Sequence, residues 1–361
     1  MNETWDADEF RRRVQEAVHT FLATQIERLA PLGDEVEPLL RRARESTSGG
    51  KRLRAAFCYW GFLAVRPSRS AAEEESLIRA AAALELLQAS ALVHDDVIDD
   101  SDTRRGAPAA HRAFEADHAA AGWPGRSRAY GDAAAVLLGD LLLTWADEML
   151  RTAGFGAAET SAALGVFDHT RSEVVAGQFL DITVQARGAA DVEAAMKVVR
   201  YKAAKYSVER PLHVGAALAG ASPAQIEALS GYGLPVGEAF QLRDDLLGVF
   251  GDPSVTGKPA GDDLVEGKRT VLIALALAGS AAADADLLDR SLGQQLRDDE
   301  VTRLRTIIAS SGAEQQVEKT ITELADQGLT ALADARASGL LDQRAATTLR
   351  ALAVAATQRS V

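Results

Sequence analysis

Apolar residues recur at three- and four-residue spacing from one end of the chain to the other, the period of a helix face turned toward a core. The segments LIRAAAALELLQASALVHDD, GDAAAVLLGDLLLTWADEML and EQQVEKTITELADQGLTALADARA show it clearly. No segment alternates apolar and polar residues as a half-buried strand does. Helices are expected to stop where Gly, Pro and small polar residues gather: TSGGK near Ser48, GWPGRSRAYGD from Gly122, ARGAAD near Gly188 and FGDPSVTGKPAGDD from Phe250. No Pro/Gly/Ser-rich linker or charge block divides the chain, and no short-period repeat of the solenoid type occurs. The pattern predicts an all-α fold, a single helical bundle domain over residues 1–361.

Composition narrows the partners. With 361 residues, 47% of them hydrophobic, the chain can bury a large core. A formal net charge of −13 argues against nucleic acid, whose binding is driven by neutralising phosphates with Lys and Arg, and against nonspecific attraction to membranes. The lone cysteine, Cys58, can form neither an internal disulfide nor a thiolate zinc cage, and reads as a small buried residue in a reducing compartment. The opening MNETWDADEF lacks a basic region followed by an apolar run, and no unbroken apolar stretch approaches a membrane-spanning length. A soluble, cytoplasmic protein without stable membrane insertion is expected.

Charge placement changes the picture more. In VHDDVIDDSDTRRG, from Val93 to Gly106, Asp95 and Asp99 are four residues apart and Asp96 and Asp99 three, so they share adjoining parts of one helix face. They repel one another, and they sit at a helix C-terminus whose dipole prefers cations. Something positive must offset that cost. Oxygen-only clusters suit Mg²⁺, which keeps several waters and bridges carboxylates to substrate phosphates. A calcium loop of the EF-hand type fails, because the alternating ligands, central Gly and closing Glu are missing. EAFQLRDDLLGVFGD offers a second pair, Asp244 and Asp245, with Gln241 three residues before Asp244.

Compact cationic motifs accompany these carboxylates: Lys51, Arg52 and Arg54 in GGKRLR, Arg104 and Arg105, Lys202 in RYKAAKYS, Lys258 in VTGKP, and Lys268 and Arg269 in EGKRT. Most follow Gly or lie in predicted loops, where backbone and guanidinium can approach an anion. Arg52 and Arg269 read as ordinary surface charge. VTGKP does not have the spacing of a nucleotide phosphate loop, and neither a His-Glu-x-x-His zinc site nor a dinucleotide-binding glycine motif is present. Metal-binding carboxylates beside anion-binding cations imply a phosphate-bearing substrate.

In order, GGKRLR, DDVIDDSDTRRG, GQFLD, YKAAKYS, FQLRDD and FGDPSVTGK resemble the trans-isoprenyl diphosphate synthases, the farnesyl and geranylgeranyl diphosphate synthase family, over about residues 47–270. The resemblance implies an all-helical fold around a deep central cavity, a homodimer, and several Mg²⁺ ions per site, with Mn²⁺ as a substitute. By position it assigns Asp95, Asp96 and Asp99 to magnesium and the allylic diphosphate, and Arg104 to that diphosphate. Lys51, Arg54, Arg105 and Gln88 fall on residues that hold isopentenyl diphosphate. Gln178, Asp181, Lys202, Gln241, Asp244 and Lys258 fall around the metals and the leaving diphosphate, and Lys268 on a further diphosphate-binding lysine with one extra residue of spacing. Two departures stand out: Gly248 replaces the last Asp of the second motif, and Ala203 replaces a Thr.

The implied reaction ionises an allylic diphosphate (dimethylallyl, geranyl or farnesyl), adds isopentenyl diphosphate to the cation and eliminates a proton, which the released pyrophosphate itself can accept. Asp95, Asp99 and Asp244 with magnesium, and Arg104, Lys202 and Lys258, would meet charge on the leaving group. His94 reads as a structural helix-end residue rather than a base. Product length depends on the turn before Asp95, where small residues, Ser90 and Ala91, replace the bulky aromatic that closes the cavity near fifteen carbons in the family. A geranylgeranyl-sized product follows, and Ser90→Phe is expected to shorten it. Leu84, Leu87 and Trp145 are candidate floor residues, each read first as core packing. The alternatives are a farnesyl or longer polyprenyl synthase, a class I terpene cyclase, and a non-catalytic partner subunit.

Overall fold

The computed structural model describes residues 5–188, 191–251 and 261–358. Helix boundaries follow local capping chemistry. Asp6 accepts hydrogen bonds from the backbone N–H groups of Asp8 and Glu9 and opens α1 (Ala7–Leu29). After two short 3₁₀ turns come α2 (Glu37–Ser46) and α3 (Leu53–Val65). Ser70 caps α4 (Ala71–Ile98) by accepting from the N–H of Glu73, and α4 ends at Asp99, before Asp100 adopts a left-handed φ of 56°.

Here the chain departs from the strand-free expectation. Thr103–Arg104 and Ala107–Pro108 form a two-stranded antiparallel ribbon turned by Arg105 and Gly106, whose φ values are 54° and 76°. The chain continues through α5 (Ala110–Ala120), α6 (Ser127–Arg151), α7 (Ala157–Arg187) and α8 (Val192–Val198). Val199–Glu209 is wound as a π-helix and runs directly into α9 (Arg210–Leu218). A capping box between Ser222 and Gln225, with Pro223 at the first position, starts α10 (Pro223–Phe250). The rest is α11 (Asp262–Val265), α12 (Val271–Gly279), α13 (Ala282–Ser291), α14 (Asp298–Ser310), α15 (Ala313–Ala337) and α16 (Gln343–Thr357).

Two apolar clusters form the interior, and α10 belongs to both. Its first half places Leu229, Tyr232 and Val236 with Phe57, Leu84 and Phe167; its second half places Leu242, Leu246 and Val249 with Leu264, Leu272 and Ile308. By length and composition α4 could cross a membrane, yet 78% of its apolar window is buried inside the protein. It is apolar all round because it packs against α1, α3 and α6. Leu84, Leu87 and Trp145 are core residues on or against it, in keeping with their packing role.

Two glycines set the centre of the fold. A Cβ on Gly177 of α7 would lie 2.4 Å from the backbone N of Lys202, and one on Gly237 of α10 would lie 2.6 Å from the carbonyl O of Ala204. Only glycine lets both helices approach the π-helical segment this closely. Lys202 is thereby locked between them.

Candidate active site

The C-terminal ends of α4 and α10 face one cavity of about 770 Å³. Asp95 from α4 and Asp244 and Asp245 from α10 line it, with Gln178 and Asp181 of α7 and Lys202 of the π-helical segment between them. Lys51, Arg54, Gln88 and Arg104 line another part of the wall, and Gln241, Asp263, Lys268 and Arg269 the side toward α11. Lys258 and the rest of the VTGKP loop lie outside the described residues.

The first acidic cluster is balanced by cations from elsewhere in the chain. Lys202 Nζ donates to Asp181 Oδ2 at 2.6 Å and lies 3.2 Å from Asp95 Oδ1. Lys268 Nζ lies 3.5 Å from Asp99 Oδ2 and also pairs with Glu266, which accepts a hydrogen bond from Ser101 Oγ at 2.9 Å. Burial works to raise the pKa of Asp95, but Lys202, Lys268 and Arg104 outweigh it and hold the carboxyl below its usual range. Burial, and then the charge of Asp95, push Asp99 up to about 6. Against burial, Asp95, Asp181 and Asp99 raise the pKa of Lys202, and Asp263, Glu266, Asp99 and Asp95 raise that of Lys268, so both stay protonated.

Of the three motif carboxylates only Asp95 lines the cavity, and Asp96 and Asp99 lie behind it. Asp96 is only 2% exposed, and its Oδ1 accepts from both Nε and Nη2 of Arg104, the former at 2.9 Å. It therefore holds a guanidinium that itself lines the cavity. The ribbon turn at Arg105–Gly106 sends the next guanidinium the other way: Arg105 Nη1 donates to the carbonyl O of Ser48 at 2.8 Å, against the Gly49–Gly50 turn that precedes Lys51.

Positive charge is crowded on this side. Burial and the neighbouring Arg52, Arg104 and Arg54 depress the pKa of Arg105, a repulsion that a bound polyanion would relieve. Arg54 is oriented from below: its guanidinium lies 4.1 Å from the centroid of the Tyr206 ring, and its Nη2 donates to Ser207 Oγ at 2.7 Å. Arg52 is corrected from surface charge to a buried ion pair, 3.1 Å from Glu85 and almost wholly enclosed. It carries a left-handed φ of 53° just before α3, and locks the GGKRLR turn onto α4. Arg269 is likewise no free surface charge, since it lines the cavity and pairs with Asp289.

On the α10 side, Gln241 Nε2 donates to Asp245 Oδ1 at 2.8 Å. Burial, followed by the charge of Asp263, pushes Asp245 up to about 8. Ala203 lines the cavity as a bare methyl. Ala91 also lines it, whereas Ser90 is buried at 2% exposure and does not; the chain-length expectation thus rests on Ala91. His94 packs over Gly139, with Nε2 3.1 Å from the carbonyl O of Val136, away from the cavity.

The donor set fits magnesium. Asp95 Oδ1 and Asp99 Oδ2 are buried oxygens that meet only the ammonium groups of Lys202 and Lys268, at 3.2 and 3.5 Å, and the candidate ligands are all hard carboxylate oxygens. No three Asp, Glu, His or Cys residues among the described ones close around an ion by themselves. That suits a cation that keeps its waters and completes its shell with substrate phosphate. Sequence reasoning missed Asp263, Glu266, Tyr206 and Ser207. The acidic pair Asp262–Asp263 stood beside the Lys268 motif, but nothing local pointed it at α10.

Facing acidic helix ends joined to a cationic wall, inside an all-helical shell, define an enzyme built to hold diphosphates and divalent metal. The polyprenyl synthetase family model matches residues 37–309. The chain is 42% identical to a geranylgeranyl pyrophosphate synthase from Corynebacterium glutamicum, solved with isoprenyl diphosphate and magnesium, with a TM-score of 0.94 over 99% of this chain and 100% of that one. It is 33% identical over 270 residues to the geranylfarnesyl diphosphate synthase of Aeropyrum pernix, covering 74% of this chain and 77% of the relative. The (2E,6E)-farnesyl diphosphate synthase of Mycobacterium tuberculosis strain H37Rv is 31% identical over 284 residues, 78% of this chain and 72% of the relative. The chain belongs to the polyprenyl synthetase family, a prenyltransferase family of chain-elongating enzymes.

Proposed function

We propose that this enzyme condenses isopentenyl diphosphate with an allylic diphosphate in a magnesium-dependent reaction and releases geranylgeranyl diphosphate. The observation that carries the proposal is the shared cavity, with Asp95 and Asp244 on facing helices and cations from four segments between and beside them. Asp95, Asp99 and Asp244 would hold magnesium, which supplies Lewis-acid charge against the departing diphosphate. Arg104, Lys202 and Lys268 are placed to bind the allylic diphosphate and to stay charged while negative charge grows on it. Lys51, Arg54, Arg105 and Gln88 would hold the second diphosphate, so that its double bond, not water, meets the allylic cation. The side-chain oxygen of Gln241, its amide nitrogen being engaged by Asp245, and the carbonyls of the π-helical segment offer negative dipoles where Ala203 brings none.

Small Ala91 at the cavity wall supports a product longer than farnesyl, and so does the likeness to a geranylgeranyl synthase. Purified enzyme given Mg²⁺, isopentenyl diphosphate and each allylic starter in turn, with products separated by chromatography, should consume isopentenyl diphosphate and accumulate the twenty-carbon diphosphate. Cyclisation of farnesyl or geranylgeranyl diphosphate without isopentenyl diphosphate consumption would make it a cyclase, and no turnover would make it a partner subunit. Ala91→Phe should shift the product to fifteen carbons or fewer; unchanged length would break the cavity-depth reading.

The proposal extends to a homodimer in the cytoplasm. Leu137 on α6 and Val175 and Phe179 on α7 are more than 60% exposed, an apolar patch on neighbouring helices that a second copy would cover. Phe179→Glu should convert a dimer to a monomer in light scattering after size-exclusion chromatography, and a monomeric wild type would end this part of the proposal. The single thiol, Cys58, is fully buried, which suits a reducing compartment.

A further inference from the structure

Between Lys51 and Arg54, two residues of the proposed isopentenyl diphosphate clamp, lies Arg52, the residue from which α3 starts. A helix start leaves backbone N–H groups without partners, and a short side chain with an oxygen at the capping position ordinarily accepts from one of them. Arg52 carries only donors, sits in the left-handed region at φ 53°, and makes no capping hydrogen bond. The acceptor comes from another helix. Glu85 of α4, 3% exposed, takes the backbone N–H of Ala55 on Oε1 at 3.1 Å and Arg52 Nη1 on Oε2, also at 3.1 Å. Ala55 is the third residue of α3, the position that a capping side chain ordinarily serves. Arg52 in turn donates through Nη2 to the carbonyl O of Thr47 at 2.6 Å and to Gln15, closing the turn that carries Gly49, Gly50 and Lys51. Gln88, the clamp residue on α4, lies three positions after Glu85 and so on the same side of that helix.

We propose that Glu85 is a positioning residue for the second diphosphate: it caps α3 from α4, and so fixes Lys51 and Arg54 at one spacing from Gln88. The inference rests on the reading of the cavity as a site for two diphosphates, and adds the group that keeps the two halves of one clamp in register. Glu85 does not line the cavity; it acts through the backbone of α3. A buried carboxylate is costly without a cation beside it, and Arg52 supplies that cation from a backbone conformation better suited to glycine. In this division Arg52 balances the buried charge, and the bond to the Ala55 N–H sets the geometry. The allylic side is held by other contacts, Arg104 by Asp96 and Lys202 by Asp181, so loss of the cap should reach one substrate and not the other.

The test compares two full-length double variants, Arg52→Met/Glu85→Leu and Arg52→Met/Glu85→Gln. Both replace the buried ion pair by uncharged side chains, a change that folded proteins commonly tolerate. The glutamine retains an acceptor for the Ala55 N–H, and the leucine does not. Steady-state turnover with Mg²⁺ is measured against isopentenyl diphosphate and against the preferred allylic diphosphate, with thermal melts alongside. The leucine variant should show a KM for isopentenyl diphosphate about 10-fold above that of the glutamine variant, the scale of a binding group displaced by a fraction of an ångström. Their kcat and allylic KM should agree within about 3-fold. A merely structural role would move the melting temperature, or both KM values together. Glu85→Asp keeps the charge but draws the acceptor back by one methylene, which guards against a leucine variant that fails to fold; it should raise the same KM alone, and an unchanged KM there overturns the inference. Equal isopentenyl diphosphate KM values in the two double variants, or a parallel rise in the allylic KM, also overturn it. A wild type that consumes no isopentenyl diphosphate with any allylic starter overturns the two-diphosphate reading itself, a result distinct from failure of the Glu85 assignment alone.

Discussion

The acidic end of α4 and the acidic end of α10 start from the same sequence device, an Asp pair near a helix C-terminus, and reach different solutions. On α4 every carboxylate of the motif has its own cation: Asp95 has Lys202, Asp96 has Arg104 and Asp99 has Lys268. On α10 burial raises the pKa of one member, Asp245, to about 8, Gln241 donates to it, and the space one turn on is occupied by Asp263 from α11. The first cluster is thus written in one helix and neutralised from outside; in the second, burial and the neighbouring Asp263 favour the protonated form of Asp245. Two like-charged clusters facing one hollow cannot both stay fully ionised without bound cations.

The largest effect that would sharpen this contrast is loss of a charged member of the first cluster. Asp95→Ala should cut turnover by about 10³-fold or more, the scale of removing preorganised charge from a reacting site, while circular dichroism shows helical content intact. Turnover within a few-fold of wild type would erase the distinction between the two ends.

A smaller effect is expected where the clamp is supported rather than formed. Tyr206→Leu should raise the KM for isopentenyl diphosphate by about 10-fold through a loosened Arg54, the scale of a desolvated cation–π contact, with kcat and the allylic KM little changed. Tyr206→Phe keeps the ring and should behave as wild type. A rise in the allylic KM instead would tie Tyr206 to the first cluster and not to Arg54.

Smallest of all is the effect of Asp245→Asn, which replaces a carboxyl whose pKa burial raises to about 8 by a neutral isostere; kcat at pH 7 should stay within about 3-fold, since an amide matches the protonated form. Its signature lies in stability. The folded pKa of about 8 stands above the usual carboxylate value of 3.8, so the folded state binds more protons between them. In metal-free protein this contribution is therefore fully present below about pH 4 and lost as pH rises toward 8. Asp245→Asn should raise the melting temperature at pH 8 relative to wild type and leave it unchanged near pH 4. Equal shifts at both values would show that Asp245 is ionised in the folded protein, and that the two clusters manage their charge alike.

Several parts of this molecule were legible in the chain alone. Helical period, capping residues and glycine breaks are local quantities, and they gave the all-α architecture with only the short ribbon at Thr103–Pro108 unforeseen. The carboxylate spacing of Asp95 and Asp99 fixed a shared helix face, and the order of motifs from GGKRLR to FQLRDD carried the family before any coordinate. Arg52 was misread because its αL turn and its buried partner Glu85 lie on different elements, the turn before α3 and α4. Ser90 and Ala91 are adjacent in sequence, yet only the second lines the hollow, since successive helix positions point about 100° apart.

The sequence by itself therefore determined which helices form and which carboxylates and cations are available, because propensity, periodicity and short spacings are properties of neighbouring residues. Only the tertiary structure decided that Lys202 and Lys268 neutralise α4, that Tyr206 and Ser207 steer Arg54, that Asp96 turns to Arg104, and that Asp263 fills the room above Gly248. Those pairings join groups on different elements, and their strength depends on separation and burial, which no local pattern encodes.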